Sequence, residues 1–167
     1  MTQLVYHPAF DAYNALLRIV RVLLAFPTGL DAAALRIIDF YLLFPEAISN
    51  ARMTPQLRSV VKRLGAQPRF PYDKVPASRS LFERMESPHE AARQTLVSKG
   101  FIKQADGSMI LHEILLPKEL LDLAIKQNKN EEYLMSALVA IGEAFPINGP
   151  NGLKDRSSLL EYRYDVV

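Results

Sequence analysis

The stretch that decides the fold is Ser87–Ile114, "SPHEAARQTLVSKGFIKQADGSMILHEI". Its first half carries the signals of a helix start. The Glu90 N–H can donate to the Ser87 hydroxyl, Glu90 can reach back to the Ser87 N–H, and Pro88 suits the first helical position. Gly100 stops the helix near residue 99. "FIKQ", the turn "ADG" and "SMILHEI" then form a hairpin, with Asp106-Gly107 as the turn signal. A helix followed by a hairpin is the outline of the last helix and wing of a winged helix-turn-helix. The question is whether it reads DNA.

The elements around it are helical. Apolar residues at Ala12, Leu16, Ile19, Val20, Leu23 and Leu24 form a helical stripe, ended by Pro27 and Gly29. The second helix has Asp31 as N-cap and Pro45 as its end. Its second half is apolar on nearly every face, with Phe40, Tyr41 and Phe44 prominent. Such a helix is either central to a core or covered by a partner. "TPQLRSVVKRLG" gives a third helix, capped by Thr54, with Pro55 first and Gly65 as its stop. A short helix is expected around Arg79–Met85. "PKELLDLAIKQ" and "NEEYLMSALVAIGEAF" supply two more. The sum is a mainly α chain with one small β-hairpin, a winged-helix-like single domain over residues 1–167. Residues 87–114 form its helix-and-wing unit and residues 146–167 its C-terminal tail.

At 167 residues, 49% hydrophobic and 23% charged, the chain is of ordinary globular composition and long enough for one core. Cysteine is absent, which excludes disulfides, thiol catalysis and cysteine-ligated zinc. The run "LLRIVRVLLAF" is interrupted by Arg18 and Arg21 and has no cleavage site. It is neither a signal peptide nor a span, and a soluble, cytoplasmic protein with no membrane partner is expected.

Charge is uneven along the sequence. Residues 1–51 carry three Lys/Arg against four Asp/Glu, residues 52–103 eleven against four, and residues 104–167 six against ten. The basic middle places Arg58, Lys62 and Arg63 on one helix, with Arg58 and Lys62 sharing a face. Arg93 and Lys99 lie on the next long helix, and Lys103 at the base of the hairpin. These six are candidates for contact with DNA or with an acidic partner. As DNA-reading equipment they are thin, because the hairpin tip "QADGS" carries no cation for the phosphate backbone.

No catalytic signature is present. His7, His89 and His112 lack metal-ligand spacing and are read as structural. There is no Gly-x-Ser-x-Gly elbow, and "NGPNGLKDRSS" is a turn cluster without the phosphate-loop pattern. The expectation is a protein that is not an enzyme and holds no cofactor. The features in excess are Phe40, Tyr41 and Phe44 on the second helix, with Tyr162 and Tyr164 in the tail. They are candidate partner-interface residues, since tyrosine is enriched where binding energy concentrates.

Four stretches, taken in order, carry a family resemblance. "YHPAFDAYNALLRIVRVLL", "LRIIDFYLLFP", the helix-hairpin "AARQTLVSKGFIK…GSMIL" and "GPNGLKDRSSLLEYRY" together resemble the middle component of bacterial ABC three-component systems. The resemblance extends to the accessory subunit of Lamassu-type anti-phage and anti-plasmid defence. The connection from Gln67 to Ser80 matches no motif. The resemblance implies a winged-helix-like, non-catalytic subunit between an SMC-like ATPase with ABC-type heads and an effector, often a nuclease. DNA would then be engaged through the complex. The alternative from the residues alone is a winged-helix DNA-binding protein.

Overall fold

In the computed structural model the described residues are 7–63 and 78–161. Gly65, the proline-rich connection up to residue 77, and Tyr162 and Tyr164 lie outside them.

Helix α1 (Ala12–Ala25) starts where Asp11 accepts from the Tyr13 N–H. After the Phe26–Gly29 turn comes a two-residue strand, β1 (Leu30–Asp31), leading directly into α2 (Ala32–Leu43). Asp31 caps α2 through the Ala33 N–H, as its sequence position predicts. A 3-10 segment (Pro45–Asn50) and α3 (Pro55–Lys62) follow, the latter capped by Thr54 with Pro55 in its first turn. Next come α4 (Ser78–Arg84), α5 (Glu86–Ser98), the hairpin strands β2 (Ile102–Ala105) and β3 (Ser108–Leu111), and a 3-10 turn (Glu113–Leu115). The chain then runs through α6 (Lys118–Asn130), α7 (Glu132–Ala144) and α8 (Leu153–Ser157).

The helix-plus-hairpin expected over 87–114 is present. Gly100 ends α5 at φ +75°, and Asp106 and Gly107 both take positive φ, with Ala105 facing Ser108 across the turn. That is the two-residue hairpin favoured by Asp-Gly. The helix start differs from expectation. There is no capping box at Ser87, because α4 runs almost straight into α5 through Met85 in helical conformation. The His89 N–H donates to the Met85 carbonyl, so the first turn needs no side-chain cap. Glu90 is drawn instead to Arg93 on its own helix.

A third strand joins the hairpin. β1 pairs antiparallel with β3, so the sheet order is β1-β3-β2. Gly29 makes this possible: its φ is +89°, and a Cβ there would sit 2.7 Å from the Met109 carbonyl oxygen. Only glycine allows both that conformation and that approach.

The core is one cluster of buried side chains running from Ala9 to Leu159. α1 is its axis, packing on α2, α5, α6 and β3. α2 is buried from Leu35 through Leu43 apart from Arg36, and packs also on α7 and α8. The two readings of the aromatic helix therefore resolve in favour of the core. Phe40 and Tyr41 are fully buried, and Phe40 meets Phe82 edge-on at 5.7 Å and Phe44 at 5.4 Å. As partner-interface candidates, Phe40, Tyr41 and Phe44 are corrected: this chain's own fold uses them. Leu159 is also core, Leu160 packs against it and Glu161 pairs with Arg79, so the expected tail over residues 146–167 is part of the folded unit as far as the described residues extend.

Candidate functional site

Two features of the interior and two of the surface bear on function. The first interior feature is a buried ionic cluster spanning three helices. Arg18 on α1 donates from Nε to Asp39 Oδ1 at 2.6 Å and from Nη1 to the Pro8 carbonyl at 3.1 Å. His89 on α5 lies with Nδ1 3.0 Å from Asp39 Oδ2, and since the carboxylate only accepts, Nδ1 carries the hydrogen. All three residues are almost wholly buried. Burial pushes the Asp39 carboxyl up, but the Arg18 charge and the His89 hydrogen bond outweigh it and hold Asp39 below its ordinary value. His89 Nε2 has no hydrogen-bond partner among the described residues. The cluster pins α1, α2 and α5 in one register.

The second is Arg21, one turn along α1. It donates from Nε to Asn128 Oδ1 at 2.9 Å and pairs with Glu131, while Asn128 Nδ2 returns a bond to the Arg21 carbonyl. Burial, then the neighbouring Arg18 charge, lower its pKa to about 10, with Asp39 opposing. This lock ties α1 to the end of α6. The two arginines that interrupt the apolar run of α1 are thus its connections to other helices.

On the surface, several large apolar side chains are exposed on the 3-10 turn, α6 and the start of α1. Ile114 is 95% exposed and Tyr13 79%, with Leu115, Leu123 and Ile125 also exposed. Of these, Tyr13 and Leu123 line a groove of about 320 Å³ between α1 and α6, together with Leu16, Leu17, Pro117, Glu119 and Leu120. Contiguous exposed apolar side chains around a concave strip are a feature that binding surfaces share. A second groove, of about 340 Å³, lies between the 3-10 segment and α3.

The basic candidates separate in space. Arg58, Lys62 and Arg63 are exposed on α3 and take no acidic partner among the described residues. Arg93 is spent locally: its guanidinium grips Glu90, whose carboxyl is driven down to about 2 chiefly by that hydrogen bond. Lys99 is exposed at the end of α5 and Lys103 on β2. Helix α5 therefore presents one compensated arginine rather than a set of free donors.

No described helix is long and apolar enough to cross a membrane, and no group of three or more described His, Asp or Glu residues could hold a metal ion. Sequence reasoning missed the Arg18–Asp39–His89 cluster. Its signal was there: a lone acid in an apolar helix needs an equally buried cation, and Arg18 and Arg21 were the candidates.

Over residues 4–165 the chain matches the model of the ABC-three component (ABC-3C) system Middle Component 5. The chain belongs to that family. Comparison with curated proteins and with solved structures gives no match. As a middle component, it is one member of a multi-component system and works with the other components. The apolar strip from Tyr13 to Leu123 and the α3 groove are surfaces on which such contacts could form.

Proposed function

We propose that this middle component is a non-catalytic, cytoplasmic accessory subunit of a bacterial defence complex. It joins an SMC-like ABC-type ATPase to an effector, a nuclease in the reading favoured here. The system is of the Lamassu type, directed against phage and plasmid DNA. The observation that supports an assembly role is the exposed apolar strip around Ile114, Leu115 and Leu123, in a chain of the middle-component family. Exposing residues of this kind is unfavourable unless a partner covers them. The sheet order and hairpin fit a winged-helix-like scaffold, although α2 and α5 are not joined by the short turn of a helix-turn-helix.

A second reading, direct DNA binding, draws on the three uncompensated cations of α3. It predicts salt-dependent retardation of a duplex by the isolated protein, weakened by Arg58→Ala or Lys62→Ala. The assembly reading expects no shift of the duplex at low salt. A robust shift that falls steeply with salt would favour the second reading. Co-expression with the proteins encoded beside it tests assembly itself: a tagged copy should bring down the ATPase, and recovery of the chain alone contradicts the proposal.

A further inference from the structure

The groove at α3 differs in chemistry from the strip at α6. Its walls are Ile48 of the 3-10 segment, Ala51 and Met53 of the connection that follows, and Val61 of α3, with Ser49 beside them. Arg58 and Lys62 complete the lining, one turn apart on the same face of α3. Among the described residues the lining contains two cations and no acid. Arg63 adds a third exposed cation at the end of the helix, and α3 itself carries no acidic residue. α3 buries only Leu57, so most of its surface is open to a partner.

We propose that this groove is a docking site for an acidic segment of a partner protein bearing apolar anchor side chains. The inference rests on the reading of the chain as an assembly subunit and names one of its contact surfaces. Charge complementarity selects the occupant. Cations on one rim that no described acid compensates steer an acidic segment and disfavour a basic one. The apolar floor selects a protein over a nucleic acid. Phosphates are met by cations standing out from the surface, whereas Ile48, Met53 and Val61 present nothing to a phosphate. An anchor such as leucine, packed on that floor and ringed by Arg58 and Lys62, has the arrangement of an interface hot spot, and methionine and arginine are both enriched in such interfaces.

The test uses the full chain, labelled with nitrogen-15, and three peptides. One is built from Glu and Leu, the second has Gln for Glu, and the third has Gly for Leu. The Glu/Leu peptide is expected to shift the amide signals of Ile48, Met53, Val61 and their neighbours with affinity in the micromolar to millimolar range. Both control peptides bind more weakly. Charge reversal by Arg58→Glu/Lys62→Glu, at exposed positions that leave the fold intact, weakens the Glu/Leu peptide by at least about tenfold. The proposal is overturned if the peptide shifts no groove signals at millimolar concentration, or if reversal leaves its affinity unchanged. It is equally overturned if short duplex DNA shifts the same signals more strongly. Binding that appears only after residues 66–76 are replaced by a Gly-Ser linker would make this chain's own segment the occupant and end the proposal. None of these results depends on co-purification with the ATPase, so failure here is distinguishable from failure of the assembly reading.

Discussion

Asp39→Ala is expected to lower the stability of the fold by about 3–5 kcal/mol, because it leaves a buried guanidinium without its counter-charge. Arg18 would keep only the Pro8 carbonyl, and the His89 Nδ1–H would lose its acceptor. Chemical denaturation of wild type and variant reads the difference. Replacing both charges, as Arg18→Met/Asp39→Leu, leaves no ion stranded and is expected to cost less than Asp39→Ala alone. If the single change costs less than the double, the cluster is not the structural pin described here. The pH dependence has a definite sign. Asp39 is held below its ordinary value of 3.8. A carboxyl depressed by folding contributes stability that is fully present above its unfolded pKa and is lost as pH falls through the folded value. The gap between wild type and Asp39→Ala should therefore hold steady from neutral pH down to about 4 and narrow below it.

Phe40→Ala is expected to cost about 3–5 kcal/mol, the range for deleting a buried aromatic side chain. The ring lies among Tyr41, Phe44 and Phe82, and its loss opens a cavity between α2 and α4 that the helices cannot close without leaving their other contacts. Thermal unfolding of the isolated variant measures this. A partner-facing Phe40 would behave oppositely, with unchanged stability and a weakened complex. That outcome would contradict the placement of α2 at the centre of the fold.

Much of the architecture was readable from local chemistry. Asp31 and Thr54 announce helices because their side chains accept from the first-turn N–H groups, and they do so here. Gly100 and Asp106-Gly107 announce a stop and a turn because each position needs positive φ. Ser87 misled for a physical reason. A capping box signals a start only where the chain arrives extended, and Met85 delivers it already helical. β1 was invisible because two residues carry no periodicity, and its pairing depends on the approach of Gly29 to β3.

The contact surfaces were less legible. Phe40, Tyr41 and Phe44 look excessive on one helix, but α2 is covered on nearly all sides by α1, α7 and α8 and consumes them. Exposed apolar residues sit instead in "EILLPKELLDLAI", where apolar side chains cover more of α6 than one face. Leu120, Leu121 and Ala124 turn inward, while Leu123 and Ile125, on opposite flanks of the helix, are exposed. The sequence shows the excess, and only the positions of α1 and α7 decide which side chains are covered. The basic middle likewise reads as one block in sequence. In space it separates into free cations on α3 and an arginine on α5 already held by Glu90.

The measurement that bears most directly on the central claim is the mass of the particle formed when this middle component is co-expressed with the proteins encoded beside it. Size-exclusion chromatography with light scattering gives that mass. A stable particle containing this chain, the ATPase and the effector is the expected result. Elution of this chain as a lone monomer, with the co-expressed proteins in separate peaks, would contradict it.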